Sequence, residues 1–301
     1  MDRNRKAARQ LLILPVLAAV CLLLFAALLP VLPSSPMLKD RFWAAKVGAE
    51  PAYDYVFCGD SRVYRGIDPQ VFLNGKSGLR AFNFGFSSAG LDTAYLNRAA
   101  MLLKPGGRKT LLIAVSPNAF LPSSLSNAHM WQWHRKAAAD LWVKRHLYPM
   151  MQNFDPYAVS DLFKAFKYEA YYEQFHPESG FVASDKTPAD SNSALQAYKS
   201  QFAREAIDTE AVALFVRQME QFRASGIDIY VFRMPAARVM LNAEDELTGG
   251  FIGTFLSDLS EQKFKVLKFN ELRVNSYDGS HLDSRSAARV SAFLAGLVLE
   301  N

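Results

Sequence analysis

The sequence predicts an α/β protein in which about five parallel strands form a sheet covered by helices on both faces, a three-layer sandwich. Short, nearly continuous apolar runs recur along the chain and end mostly in glycine or proline, which is typical of parallel strands buried on both faces. Helical patterns with apolar residues three and four positions apart lie between these runs. Such an alternation implies right-handed crossover connections between neighbouring strands.

Five apolar runs are the predicted strands. In chain order they are 53–59 (YDYVFCG), 79–85 (LRAFNFG), 109–117 (KTLLIAVSP), 227–235 (IDIYVFRMP) and 263–271 (KFKVLKFNE). Helical patterns fill the gaps and close the chain, the clearest being 89–107, 208–226 and 284–301. The helix at 208–226 has its stop signal in the final glycine, Gly226.

The N-terminal region predicts a membrane anchor. Residues 11–33 carry no charge and are long enough for a bilayer, which needs roughly 20 residues per span. The tail before them, 1–10, has four basic residues and one acidic residue, and such a tail stays in the cytoplasm. A cleaved signal peptide is the alternative, but its apolar region is typically only about 7–15 residues long. We therefore predict an uncleaved single-pass signal anchor in the cell membrane, with the rest of the chain in the periplasm.

A long connection interrupts the alternation of strands and helices. The segment between the third and fourth predicted strands holds three of the four tryptophans and many other aromatic residues. We predict a helical, aromatic-rich insertion at about 119–210, because a connection of this length usually has its own helices or a function. It either packs its rings internally, or shapes a cleft or rests on the membrane. Residues 34–52 are predicted to be a tether, so the predicted domain is 53–301.

Charge and cysteine content exclude several classes of function. More than half of the net charge of +5 lies in the N-terminal tail, and no basic stripe remains for nucleic acid. Cys21 falls in the predicted anchor and Cys58 in a predicted buried strand, so no disulfide is expected. The chain has no CxxC or HExxH pattern. We expect neither a metal nor an organic cofactor.

A serine at the end of the first predicted strand is a candidate nucleophile. The apolar run stops at Gly59-Asp60-Ser61, which places Ser61 at the start of the next helix. In a parallel sheet the ligand crevice lies outside the carboxyl ends of the strands. Backbone N–H groups at such a position favour negative charge. The alternative is structural, because Asp and Ser are also the ordinary residues that cap helix N-termini.

A histidine after the fifth predicted strand is the candidate base. His281 precedes the last helix, and Asp278 lies three residues before it. An aspartate at this spacing can hold the imidazole Nδ1 and leave Nε2 to accept the proton of Ser61. The sequence therefore predicts a triad of Ser61, Asp278 and His281. In the alternative interpretation, Asp278 and Ser280 form a turn and His281 lies on the surface.

Three short blocks resemble the SGNH/GDSL hydrolase superfamily. FCGDSRV (57–63) resembles its first block, FNFGFSSAG (82–90) is similar to its second block, N-x-G-x-S, and DGSHL (278–282) resembles its last block, D-x-x-H. The resemblance covers roughly 53–90 and 227–301 and leaves out the aromatic insertion. It implies a flavodoxin-like sheet.

The same resemblance implies roles for individual residues. Ser61 would be the nucleophile, His281 the base and Asp278 the residue that orients the base. The backbone N–H groups of Ser61 and Gly85 would bind the oxyanion, and such donors can each change a rate by about 10²–10³-fold. Glycine suits this position because backbone without a Cβ approaches a ligand closely.

The third block departs from the family pattern. Where the family has G-x-N-D, this chain has Ser116, Pro117, Asn118 and Ala119. Asn118 corresponds to the amide that donates to the oxyanion, although it is also a plausible turn residue after proline.

Two arginines are candidate substrate-binding residues. Arg62 replaces the leucine of the esterase motif, and Arg233 ends the fourth predicted strand. Arg233 could bind a carboxylate or phosphate through a bidentate pair of hydrogen bonds. Pairing with a neighbouring acidic side chain is the alternative.

The order of anchor, hydrolase-like domain and insertion is similar in outline to bacterial proteins that acylate envelope polymers. These include the alginate O-acetylation proteins and the teichoic-acid D-alanylation protein, and the comparison is by analogy. It implies a membrane-anchored ester hydrolase or O-acyltransferase acting on acylated carbohydrate or envelope polymer, with a membrane acyl-donor protein as a further partner. A catalytically inactive envelope scaffold is the alternative.

Overall fold

A five-stranded parallel sheet lies at the centre of the structure, a computed structural model that describes residues 13–21, 24, 35–151, 172–190, 193–269 and 272–300. The strands in chain order are β1 Tyr55–Cys58, β2 Ala81–Asn83, β3 Thr110–Ala114, β4 Tyr172–His176, β5 Phe181–Asp185, β6 Asp228–Phe232 and β7 Lys265–Leu267. The central sheet has the order β2-β1-β3-β6-β7, and each neighbouring pair is parallel. The five predicted parallel strands are therefore confirmed, each shorter than its apolar run.

Helices cover the sheet on both faces. The helices described after residue 34 are α1 Pro36–Val47, α2 Ser61–Gly66, α3 Pro69–Leu73, α4 Thr93–Ala100, α5 Pro122–Leu125, α6 Ala128–His134, α7 Ala138–His146, α8 Tyr148–Met151, α9 Ser193–Phe202, α10 Thr209–Ala224, α11 Arg238–Leu247, α12 Phe251–Glu261 and α13 Ser284–Leu299. A 3₁₀ turn, Pro117–Phe120, follows β3. The helices α1, α4, α10 and α12 pack on one face, and α2, α3 and α13 pack on the other.

The central strands alternate between these two layers. In β1, Val56 and Cys58 join the core on one face, while Tyr55 and Phe57 join the core on the other. All four side chains are inaccessible to solvent. Successive strand residues point to opposite faces, so a strand covered on both sides has no polar face. This explains why the strand sequences form unbroken apolar runs.

The strand order creates a switch point beside β1. The chain runs from β1 to β2 on one side and then to β3 on the other side of β1. Connections that leave β1 and β3 in opposite directions open a crevice at the carboxyl ends of these strands, where open α/β sheets bind ligands.

The predicted tether 34–52 is wrong over most of its length. Its residues form α1, in which Phe42, Trp43 and Val47 are buried in the core and at most 4% exposed. Phe42 and Trp43 are adjacent, Val47 lies about one helical turn after them, and Lys46 is buried beside them. The folded domain therefore includes α1.

The insertion contains more than the predicted helices. A two-stranded antiparallel hairpin, β4–β5, lies within it, and Phe175 pairs with Val182. The hairpin docks on the end of β2, where Asn83 N donates to Ser179 O at 2.8 Å. Gly180 has a φ of +73°, and a Cβ there would lie 2.2 Å from Asn83 O, so only glycine fits this turn. Residues 152–171 and 191–192 of the insertion lie outside the described residues.

The predicted N-terminal tail and most of the predicted anchor also lie outside the described residues. Of the anchor, 13–21 and residue 24 are helical. In the ranges that the structure covers, no helix has both the length and the apolar character needed for a membrane span.

Lys46 joins α1 to the hairpin from a fully buried position. Its Nζ donates to Gly180 O at 2.7 Å. The ring centroids of Phe42, Trp43, Tyr64 and Phe86 lie 5.0–5.6 Å from the ammonium nitrogen. Burial lowers the pKa of Lys46 well below its usual range.

We expect Lys46→Met to flatten the dependence of stability on pH. Between the lowered folded pKa of Lys46 and the ordinary value of about 10.4, the unfolded chain binds more protons than the folded one. The free energy of unfolding of the wild type should therefore rise with pH in this window, by at most about 1.4 kcal/mol per pH unit from this group. The methionine side chain does not titrate, so the variant lacks this contribution to the pH dependence of the free energy of unfolding.

Urea unfolding of the full chain in detergent at several pH values between 7 and 10, followed by tryptophan fluorescence, measures this difference. Lys199→Met, at an exposed position on α9, is the control. An identical pH dependence in wild type and Lys46→Met would contradict the prediction.

Candidate active site

The structure brings Ser61, His281 and Asp278 together at the carboxyl edge of the sheet. Ser61 is the first residue of α2, just beyond β1, and His281 lies in the loop before α13. The Ser61 Oγ lies 2.8 Å from His281 Nε2. The other ring nitrogen, His281 Nδ1, lies 2.6 Å from Asp278 Oδ2. A hydroxyl, an imidazole and a carboxylate thus form one continuous hydrogen-bonded relay.

The turn that presents Ser61 depends on Gly59 and Asp60. Gly59 has a φ of +145°, and a Cβ there would lie 2.5 Å from Val63 Cγ2. Asp60 caps α2, because its Oδ1 accepts from Arg62 N at 2.9 Å, and its Oδ2 accepts from Ser116 Oγ at 3.0 Å. The carboxylate therefore joins the ends of β1 and β3. Within the described residues, the Ser61 N–H has no acceptor.

The loop of the histidine is organised by Asp278. Its Oδ1 accepts from Ser280 N at 2.9 Å and from His281 N at 2.7 Å, and its Oδ2 faces the imidazole. Burial acts to raise the pKa of Asp278, but the hydrogen bonds and charge of His281 and the backbone donors outweigh it, so that the pKa lies below its usual value. An ionised Asp278 requires the proton on His281 Nδ1, which leaves Nε2 as the acceptor for Ser61 Oγ–H.

Asn83 holds the helix of the candidate nucleophile. It ends β2 and is inaccessible to solvent. Its Nδ2 donates to Val63 O and Ile67 O, both at 2.7 Å, and its Oδ1 accepts from Gly85 N at 3.0 Å. Val63 belongs to α2 and Ile67 directly follows its last residue, so Asn83 attaches this helix to β2.

Gly85 is placed differently from the sequence expectation. Its N–H already donates to Asn83 Oδ1, so it is not a free donor for an oxyanion. A Cβ at Gly85 would lie 2.7 Å from Tyr64 N and 3.0 Å from Asp60 O. The glycine thus permits close packing of the loop after β2 against α2, which the sequence motif alone does not show.

Asn118 is not brought to the cavity beside Ser61. It is buried in the 3₁₀ turn after β3, and its Oδ1 has no hydrogen-bond partner among the described residues. Its predicted alternative role as a turn residue agrees with this location.

Arg62 and Arg233 form ion pairs inside the protein. The Arg62 side chain is 1% exposed, pairs with Glu244 on α11, and donates from Nε to Ser280 Oγ at 2.9 Å. Arg233 donates to Glu244 and Asp245, both at 2.8 Å. The predicted substrate-binding role of Arg62 is therefore wrong, and Arg233 adopts its alternative role of pairing with acids. The sequence could not show that α11 carries Glu244 to the back of α2.

A cavity of about 370 Å³ opens beside the relay. It is lined by Ser61, Tyr64, Arg65, Ser87, Lys186, Tyr277, Asp278 and His281. Sequence reasoning missed Arg65 and Tyr277. Arg65 lies one helical turn after Ser61 and therefore shares its face of α2, and Tyr277 adjoins Asp278, so spacing was the available signal.

Arg65 connects the cavity wall to the hairpin. Its guanidinium donates to Glu173 Oε1 at 2.5 Å, Ser184 Oγ at 2.7 Å and Tyr277 Oη at 3.2 Å. The Tyr277 ring stacks on the His281 ring, with centroids 5.9 Å apart and planes inclined by 19°. The hairpin thus supports the loop that holds the imidazole. Among the described residues, no group of three or more His, Cys, Asp or Glu side chains could hold a metal ion.

No family model matches the chain, and no curated protein matches it. Solved structures of esterases are similar at low identity. A carbohydrate acetylesterase family member from Sinorhizobium meliloti has 10% identity and a TM-score of 0.42, covering 82% of this chain and 99% of its own. The aryl esterase of M. smegmatis has 11% identity and a TM-score of 0.38, covering 83% of this chain and 99% of its own.

A candidate lipolytic protein of the G-D-S-L family from Desulfitobacterium hafniense is similar in the same way. It has 10% identity and a TM-score of 0.37, covering 81% of this chain and 99% of its own. These likenesses are too distant to assign the chain to a family.

We expect Asp278→Asn to lower kcat for a short acyl ester by about 10⁴-fold, the size seen when a triad aspartate of a serine protease is replaced in this way. The asparagine Oδ1 can still accept from the two backbone N–H groups. Its amide donor would then face His281 Nδ1 and force the proton onto Nε2, which could no longer accept from Ser61.

Steady-state kinetics of the full chain, with thermal unfolding as a check on folding, measures this effect. Asp258→Asn, at an exposed position on α12, is the matched control. Equal kcat in Asp278→Asn and wild type would rule out a role for the carboxylate in orienting His281.

Proposed function

We propose that the protein is a serine ester hydrolase in which Ser61 is the nucleophile. One observation carries the proposal, namely the relay from Ser61 Oγ through His281 to Asp278, with hydrogen bonds of 2.8 Å and 2.6 Å. A serine is a weak nucleophile unless a base removes its proton, and these distances are those of an activated nucleophile. The adjoining cavity gives an ester access to Ser61 Oγ.

The reaction proceeds through an acyl-enzyme. Ser61 Oγ attacks the ester carbonyl carbon while His281 Nε2 takes its proton, and Asp278 stabilises the imidazolium. The bond between the carbonyl carbon and the alcohol oxygen then breaks, and His281 returns the proton to the departing alcohol. Water attacks the acyl-Ser61 with His281 again as base, which releases a carboxylic acid and restores the serine.

If a hydroxyl group of another molecule attacks the acyl-enzyme in place of water, the protein acts as an O-acyltransferase. The relay serves both reactions equally, because they differ only in the acceptor. A membrane acyl-donor protein would then supply the acyl group, with an envelope polymer as acceptor. Incubation with an acyl ester and a soluble glycan, followed by mass spectrometry of the products, separates free acid from acylated glycan.

The incomplete set of oxyanion donors favours a second candidate function, that of a catalytically inactive binding protein. Of the three expected oxyanion donors, Gly85 N–H is engaged by Asn83 and Asn118 does not line the cavity, which leaves Ser61 N–H. Loss of a single such donor can cost about 10²–10³ in rate. An inactive protein would keep the relay for structural reasons and would not form an acyl-enzyme.

We expect Ser61→Ala to reduce kcat/KM for a short acyl ester by at least about 10³-fold, because the variant lacks the attacking oxygen. A serine-directed fluorophosphonate should label wild type at Ser61 and leave the variant unlabelled. Ser225→Ala, at an exposed position at the end of α10, is the control. Wild type that neither turns over esters nor takes up the probe would support the inactive binding protein instead.

We further propose that residues 11–33 anchor the protein in the cell membrane with the domain outside the cytoplasm. The support is the uncharged length of this segment and the basic tail before it. Alkaline phosphatase fused after the last residue should be active in cells, because this reporter folds only outside the cytoplasm. Replacement of the basic residues of the tail by acidic ones should lower this activity, and an inactive fusion in the wild type would contradict the proposed topology.

A further inference from the structure

A second pocket shares a wall with the cavity beside Ser61. It has a volume of about 400 Å³, and Tyr64, Arg65 and Ser87 line both spaces. Its other walls come from α1, from α6 and from β4 of the hairpin. A substrate whose ester carbonyl lies over Ser61 can therefore extend into the second pocket without leaving the protein surface. The volume is within the range of small-molecule sites.

The lining of the second pocket combines hydroxyl groups and aromatic walls with three charged side chains, Lys39, Arg65 and Glu173. Four serines contribute to it, namely Ser87, Ser88, Ser123 and Ser126. Trp43, Tyr64 and Phe175 supply the apolar surfaces. A long alkyl chain would bury the serine hydroxyls without offering them hydrogen bonds, which is unfavourable. A sugar ring presents C–H groups to apolar walls and hydroxyls to polar groups, and so matches this mixture.

His129 lines the second pocket and has a buried ring nitrogen without a partner in the described part of the chain. Its ring packs edge-on against Trp43, with centroids 4.3 Å apart, and its buried Nδ1 has no hydrogen-bond partner among the described residues. Burial, with the nearby charges of Lys46 and Lys39, lowers the pKa of His129 to about 4, so that the ring is neutral at neutral pH. A buried polar atom without a partner is costly, and a ligand hydroxyl would remove that cost.

We propose that the second pocket binds the sugar ring of an acylated carbohydrate and that His129 hydrogen-bonds one of the ring hydroxyls. This proposal rests on the proposed ester hydrolysis and names the alcohol part of its substrate. His129 is then a specificity residue of the binding pocket, while the bond-breaking chemistry stays with Ser61, His281 and Asp278.

Two substrates test the assignment, a methyl O-acetylglucopyranoside, which carries ring hydroxyls, and 4-nitrophenyl acetate, which has none. We expect His129→Ala to lower the ratio of kcat/KM for the glycoside to kcat/KM for the aryl ester by about 3- to 10-fold, the size of one neutral hydrogen bond. The loss should lie mainly in KM for the glycoside. His146→Ala, at an exposed histidine on α7, should leave the ratio at its wild-type value.

A second variant fills the pocket from its rim. Ser126 is exposed, and its Oγ donates to Ser123 O at 2.6 Å. Ser126→Trp should lower the same ratio by at least about 10-fold, because the indole occupies space that the sugar needs. The matched control is Ser225→Trp, since Ser225 is also an exposed serine whose hydroxyl donates to the carbonyl three residues earlier.

The outcomes separate this proposal from the proposed function. If wild type cleaves both esters and the two pocket variants keep the wild-type ratio, the sugar pocket is overturned and the hydrolase stands. If wild type cleaves neither ester, binding of the glycoside to the full-length Ser61→Ala chain is measured by saturation-transfer NMR. Binding that weakens in a Ser61→Ala, His129→Ala double variant then supports the pocket, and absence of binding overturns it.

Discussion

Parallel pairing of the strands is the constraint on which the candidate site depends. Because β1, β2, β3, β6 and β7 all run in one direction, their carboxyl ends lie along one edge of the sheet. Ser61 follows β1, an inner strand, and His281 follows the edge strand β7, and the two residues are 220 positions apart in sequence. Without parallel pairing, these two loops would leave the sheet at opposite ends.

Side-chain hydrogen bonds then fix the two loops with the accuracy that proton transfer needs. Asn83 attaches α2 to the end of β2, and Arg62 joins the back of α2 to Ser280 in the histidine loop. The hairpin supports the same loop, because Asp185 accepts from both the N–H and the hydroxyl of Ser284 at the start of α13. A proton moves between side chains only when their atoms stay within hydrogen-bond distance, so these supports bear directly on the proposed chemistry.

The helix α1 and the hairpin β4–β5 shape the surroundings of Ser61 beyond the sheet itself. The helix α1 and the hairpin meet through Lys46 and Gly180, and they contribute to the second pocket through Trp43 and Phe175. The sheet and the relay thus explain the ester hydrolysis that we propose. The helix α1 and the hairpin explain why we propose a sugar as the alcohol part of the ester. Function is commonly divided in this way between a scaffold and the loops it carries.

The sequence alone determined the fold class and the three residues of the relay. Buried parallel strands leave unbroken apolar runs, and the residues that end such runs meet at one edge of the sheet, so Ser61, Asp278 and His281 could be predicted from local patterns. Only the tertiary structure determined the roles of Arg62, Gly85 and Asn118. Each depends on a partner or a packing surface distant in sequence, such as Glu244 for Arg62. The helix α1 and the Lys46 contacts were hidden for the same reason: this segment has no amphipathic pattern, and only the surfaces packed around it show which of its residues are buried.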